Sequence, residues 1–188
     1  MLRKKLPRRQ FLKGAAAAGC VSLFPACGKP PGRWRFFTEA EAAAVSAICE
    51  QIIPTDQDPG AISAGVPNFI DKQLAGVYKR HQQAYRTGLA GVQESSQAMF
   101  GAGFEALNWA SQTAVLEALE SGKAKGRSWE SQSSRAFFQL IRDHTMQGFY
   151  GSPRHGGNRD YLSYKMLGID YPQIIGQNRY KKPQARKA

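Results

Sequence analysis

The sequence predicts an all-α fold: a single domain of five or six helices with a long glycine-rich loop near the C-terminus. Three observations predict it. Apolar residues recur at three- and four-residue steps over successive stretches. Capping residues stand at the ends of several of these stretches. No run alternates apolar and polar residues for long enough to make a strand. The chain has 188 residues, 42% of them hydrophobic and 21% charged, which is enough for one domain with its own core. No internal repeat divides it.

Each element has its own justification. Gly28 to Arg35 has the composition of a linker. Thr38-Glu39-Ala40-Glu41 has capping-box spacing, Val45, Ile48 and Ile52 follow at helical steps, and Pro54 ends that helix. Cys49 falls on the same apolar face and reads as a buried, inert thiol. Pro54 to Gly60 is a turn-forming loop, and its Asp56 and Asp58 lack the later glutamate of a calcium loop. A second helix runs from Val66 to about Tyr78, opened by Pro67. Tyr85, Leu89, Val92, Ser96 and Met99 form one stripe of a long helix ending near Gly101. Asn108 caps the next, which carries Val115, Leu116 and Leu119 and stops at Gly122. Ser121 to Arg127 reads as a solvated loop. The last long helix spans Ser134 to Tyr150, with Phe137, Phe138, Ile141, Thr145 and Phe149 on one face.

The formal charge of +12 sits at the two ends. Residues 1–27 contribute six basic side chains and residues 179–188 five, both without an acid, leaving 15 basic against 14 acidic between them. A nearly neutral domain argues against a nucleic-acid surface, which spreads cations to match phosphates. The N-terminal cluster reads instead as an export signal, followed by the uncharged, small-residue stretch from Gly14 to Ala26. Those 13 residues span only about 20 Å as a helix, short of the roughly 30 Å hydrocarbon layer. Arg8-Arg9-Gln10-Phe11-Leu12-Lys13 is similar to the twin-arginine motif, with Pro7 where Ser or Thr is common. The alternative is an ordinary secretory signal, against which the weakly apolar stretch speaks. Cys27 after Ala26 also raises lipoprotein processing, although Phe24 and Pro25 fit a lipobox poorly. The organisation expected is therefore a signal peptide over 1–27, a linker over 28–36, a helical domain over 37–178 and a basic tail over 179–188.

Twin-arginine export carries folded proteins, usually because a cofactor is inserted first, yet the chain shows no cofactor motif of its own. No P-loop, GxSxG, HExxH or CxxC occurs. Gly88, Gly91, Gly101 and Gly103 lie in or beside a helix, without the strand that a dinucleotide turn requires. The imidazoles are His81, read as exposed, His144, read as a hydrogen-bonded structural residue, and His155. Asp143, His144, His155 and Asp160 match no metal-ligand spacing. The signal on a cofactor-free chain suggests that it serves a partner. The segment His144 to Asp160 sets aromatics beside glycines and basic side chains. Phe149, Tyr150, Arg154, His155, Gly156, Gly157, Asn158 and Arg159 are its candidate partner-docking residues.

Several motifs, taken together, resemble those of the gluconate 2-dehydrogenase subunit 3 family. They are Phe37-Thr38-Glu39-Ala40-Glu41, Ile52-Ile53-Pro54-Thr55-Asp56, Ala64-Gly65-Val66-Pro67-Asn68-Phe69-Ile70-Asp71, Tyr85-Arg86-Thr87-Gly88-Leu89, and Gly148-Phe149-Tyr150-Gly151 through Gly156-Gly157-Asn158-Arg159-Asp160. Tyr164-Lys165-Met166-Leu167-Gly168 extends the match, with Tyr where Trp is expected, so the resemblance covers about Phe37 to Tyr171. It implies a small subunit of a periplasmic, membrane-associated flavin dehydrogenase, bound to a large FAD-containing subunit of the glucose–methanol–choline type and often to a multihaem cytochrome c. The large subunit would oxidise a sugar, sugar acid or polyol. The small subunit would escort and stabilise it, with no catalytic, cofactor-binding or metal-ligating residues of its own. Two other readings stay open: an independent periplasmic enzyme or binder using His144, His155 and Asp160, and a scaffold anchored by lipid on Cys27.

Overall fold

The computed structural model describes residues 33–169. The export-signal residues Arg8, Arg9, Phe11 and Leu12, the lipidation candidate Cys27 and the basic tail over 179–188 lie outside the described residues. Those described form seven α-helices and no strand. They are α1 (Glu39–Ile52), α2 (Val66–Leu74), α3 (Gln82–Phe100), α4 (Trp109–Ser121), α5 (Ser128–Ser131), α6 (Ser134–Tyr150) and α7 (Leu162–Met166). The five long helices are those the sequence predicts; α5 and α7 are single-turn additions.

Local chemistry sets most of the ends. Thr38 accepts from the Glu41 amide at 3.2 Å, and the Glu41 carboxylate accepts from the Thr38 amide at 2.8 Å, a reciprocal cap worth about 1 kcal/mol. Asn108 and Ser133 cap α4 and α6 in the same way, accepting from Ser111 and Ala136. Gly101 and Gly122 end α3 and α4 at φ of 73° and 75°, backbone that other residues adopt only with strain. Helix α2 stops four residues short of the expected Tyr78. Gly76 weakens the helix there, and the Tyr78 amide turns back to the Gln73 carbonyl at 2.8 Å. This turn carries Tyr78 to the side of α6, where its hydroxyl donates to Gln147 at 2.7 Å.

Helix α6 is the hub, packed on α4 and α2, with α1 lying across α2, α4 and α6 and α3 closing the bundle. Val45, Ile48, Ile70, Leu74, Tyr85, Phe137 and Ile141 are fully buried or nearly so between them. The α3 stripe joins the core through Tyr85, Leu89, Val92 and Ser96, whereas Met99 leaves it in the last turn. Two glycines of α3 let aromatic rings touch its backbone. A Cβ at Gly88 would lie 2.2 Å from the Phe137 ring, and one at Gly91 2.5 Å from the Trp129 indole. Helix α2 is buried on nearly every side, a consequence of the C-terminal loop that covers its outer face.

Candidate functional site

The loop that follows α6 is held carbonyl by carbonyl against α2. The Asn68 amide donates to the Gly156 carbonyl at 2.7 Å, Lys72 to Arg154 at 3.2 Å and Gln73 to His155 at 3.1 Å. Asn68 and Lys72 are one turn apart and Gln73 follows directly, so α2 is a rack for this loop. Asn158 is fully buried: its amide donates to the Gly151 carbonyl at 2.8 Å, and its carbonyl oxygen accepts from the Ser163 amide at 2.9 Å. Asn158, Asp160 and Tyr161 all adopt left-handed backbone, with φ of 43°, 54° and 58°. That conformation strains non-glycine residues and persists only where surrounding contacts over-determine it. Gly157 passes so close to the Gly148 carbonyl that no side chain would fit there.

These positions divide the docking residues read from the sequence. Tyr150, Arg154, His155 and Arg159 are exposed, and Gly156 is half-buried. Phe149, Gly157 and Asn158 are buried and offer a partner nothing; they are the support that fixes the loop. Arg154 Nε donates to His155 Nε2 at 3.0 Å, so these two side chains act as one cationic group. The Arg159 amide donates to the Ala64 carbonyl at 3.0 Å, and its guanidinium lies over Gly65, where a Cβ would meet Nη2 at 3.3 Å. Clefts of about 270 and about 310 Å³ open beside Arg159, which lines both.

Sequence reasoning gave no role to Asp71, one turn after Asn68 on α2, with which it shares the Arg35 guanidinium. Its carboxylate is fully buried and accepts the successive backbone amides of Arg35, Phe36 and Phe37 at 2.8–3.1 Å, with the Arg35 guanidinium at 3.3 Å. Arg86 on α3 completes the clamp: it donates to the Phe36 carbonyl at 2.8 Å, lies 4.2 Å over the Phe36 ring and pairs with Glu41. Burial would raise the Glu41 carboxyl, but the bonds from Arg86 and Thr38 outweigh it and hold it below the ordinary glutamate value. The folded body therefore begins ahead of Phe37, inside the stretch read as linker.

Several of the motifs that carry the resemblance are thus linked: Asn68 and Asp71 on α2, Arg86 on α3 and the loop at Gly156 are connected by hydrogen bonds directly or through Arg35 and Phe36. The family model described as gluconate 2-dehydrogenase subunit 3 matches residues 39–170. The chain belongs to the gluconate 2-dehydrogenase subunit 3 family. Searches of curated proteins and of solved structures return no match. The family is that of a subunit of a multisubunit, membrane-bound periplasmic dehydrogenase. No helix among the described residues is long and apolar enough to cross a membrane.

Within this subunit 3 fold, the remaining reactive side chains are built into the core. His144 stacks on Tyr78 at 4.6 Å and shares a 3.0 Å hydrogen bond, through Nδ1, with the buried Tyr85 hydroxyl. Burial, reinforced by His81, holds its pKa down at about 4. His81, expected to be exposed, is half-buried with its ring 5.4 Å from that of His144, because the turn after α2 folds it inward. Burial pushes the Cys49 thiol up to about 12, and its Sγ lies 3.3 Å from the Thr145 hydroxyl, so it stays protonated and inert. Asp143, His144, His155 and Asp160 are not brought together: among the described residues no three His, Cys, Asp or Glu side chains converge.

Proposed function

We propose that this chain is the non-catalytic small subunit of a periplasmic, membrane-associated, FAD-dependent dehydrogenase of the gluconate 2-dehydrogenase type. In this reading it escorts the large flavoprotein subunit through the twin-arginine route and stabilises it afterwards. One pairing carries the proposal: a twin-arginine-like signal, Arg8-Arg9-Gln10-Phe11-Leu12-Lys13, on a chain of this family. Export of a folded chain serves a protein whose cofactor is inserted first. The cofactor-bearing candidate here is the partner, which would hold FAD and oxidise a sugar, sugar acid or polyol. A multihaem cytochrome c subunit would take the electrons, and the assembly would sit at the outer face of the inner membrane. The exposed Tyr150 at the end of α6, with Arg154, His155 and Arg159 on the loop braced by α2, supports a docking role, since a rigid surface loses little conformational freedom on binding.

The test is co-expression of the full chain, with Arg8 and Arg9 both replaced by Lys, alongside its flavoprotein. The flavoprotein should then remain in the cytoplasm, flavin-loaded and folded. Undiminished delivery of the flavoprotein to the periplasm would contradict the escort role.

A further inference from the structure

Among the described residues the ion pairs are Arg35–Asp71, Arg86–Glu41 and Arg142–Asp143. Arg33, Lys72, Arg154, Lys165 and Arg159 are all outside these ion pairs, and Arg159 is the one of them that lines both clefts. Its place is nevertheless fixed. Left-handed Asn158 and Asp160 flank it, its amide is bonded to Ala64, and bare Gly65 lets the guanidinium lie against the backbone. Ile62 lines the cleft on one side and Met166 the cleft on the other, and they are 52% and 41% exposed. The result is a saddle: one planar cation with an apolar side chain on each flank. Arg33 and Glu39 line one cleft and Lys165 and Asp160 the other, so these four charges balance and the Arg159 guanidinium leaves the saddle net positive.

We infer that this saddle recognises a carboxylate of the flavoprotein subunit: an Asp or Glu side chain pairs bidentately with Arg159, and apolar neighbours of that residue fill the clefts against Ile62 and Met166. The inference rests on the proposed subunit role and deepens it. Charge selects the occupant. Residues 1–32 and 170–188 of this chain carry twelve basic side chains and one acid, Asp170, so they do not complement a cationic saddle. The described surface is itself nearly neutral, with 14 basic and 13 acidic residues. An acidic segment on another protein supplies what both lack. A planar guanidinium matches a carboxylate at two points, which a lysine does not.

The full chain and its flavoprotein are co-expressed, the complex is captured through the flavoprotein, and the affinity of the purified components is measured at increasing salt. Arg159→Glu should weaken binding by about tenfold or more and flatten its salt dependence. Arg159→Lys should lose less. Arg142→Glu, in a different cleft, should bind as the parent does. An Asp or Glu on the flavoprotein whose change to Arg restores binding to Arg159→Glu would identify the paired carboxylate. Unfolding curves of both Arg159 variants should match the parent, since the side chain is exposed. Parental affinity and salt dependence in Arg159→Glu would overturn the site while leaving the subunit role standing. So would a variant that abolished only self-association of this chain. A parent chain that forms no complex at all would overturn both.

Discussion

Asp71 holds one fully buried carboxylate against three successive backbone amides. Replacing it by Asn turns one acceptor oxygen into an NH₂ group facing those same donors. Asp71→Asn should therefore lose about 2–3 kcal/mol in urea unfolding of the full chain, with an unchanged slope. A loss well under 1 kcal/mol would mean that the clamp contributes little. His144 makes a different statement. Its folded pKa of about 4 lies below the ordinary 6.5, so the unfolded chain takes up a proton first as the pH falls. Stability on this account is fully present above about pH 6.5 and declines towards pH 4. His81, lowered by burial and by Arg80, adds to the same trend, whereas Glu41 loses its contribution only below 4.5. In His144→Gln the stability change between pH 6.5 and pH 4 should shrink, as followed by denaturant midpoints across that window.

At the scale of elements, α3 is shaped by what presses on it. Gly in a helix interior costs about 1 kcal/mol relative to Ala, so Gly→Ala would stabilise a free helix. Here Gly88→Ala should instead lose about 1–3 kcal/mol, because Phe137 is 1% exposed and the core gives it nowhere to move. Gly91→Ala should lose less, since the Trp129 ring is only half-buried and can shift. Thermal unfolding of the two variants checks the order. The same distinction between local and distant causes explains what was legible in the sequence. The ends of α4 and α6 were, because Asn108, Gly122 and Ser133 act on their own neighbours. The end of α2 was misplaced because its stop serves contacts from Tyr78 to residues on α6, far along the chain. The role of Asp71 was hidden because its donors are backbone groups 34 to 36 residues away. The docking loop was found as a segment, yet its division into exposed Arg159 and buried Asn158 depends on left-handed turns fixed by distant partners.

At the scale of the whole molecule, several of the residues that mark the family are joined by hydrogen bonds around α2, which carries both the amide clamp and the loop rack. That arrangement suits a chain whose task is to present a fixed surface, with His144 and Cys49 buried in the core. The central claim is that it works as the flavin-free member of an assembly. The most direct measurement is purification of the tagged chain from cells that also make the flavoprotein, followed by subunit mass, flavin content and dehydrogenase activity. The account predicts a stoichiometric complex whose flavin and activity both stay with the large subunit when the two are separated. A tagged chain recovered alone, oxidising a sugar with an added electron acceptor, would contradict it.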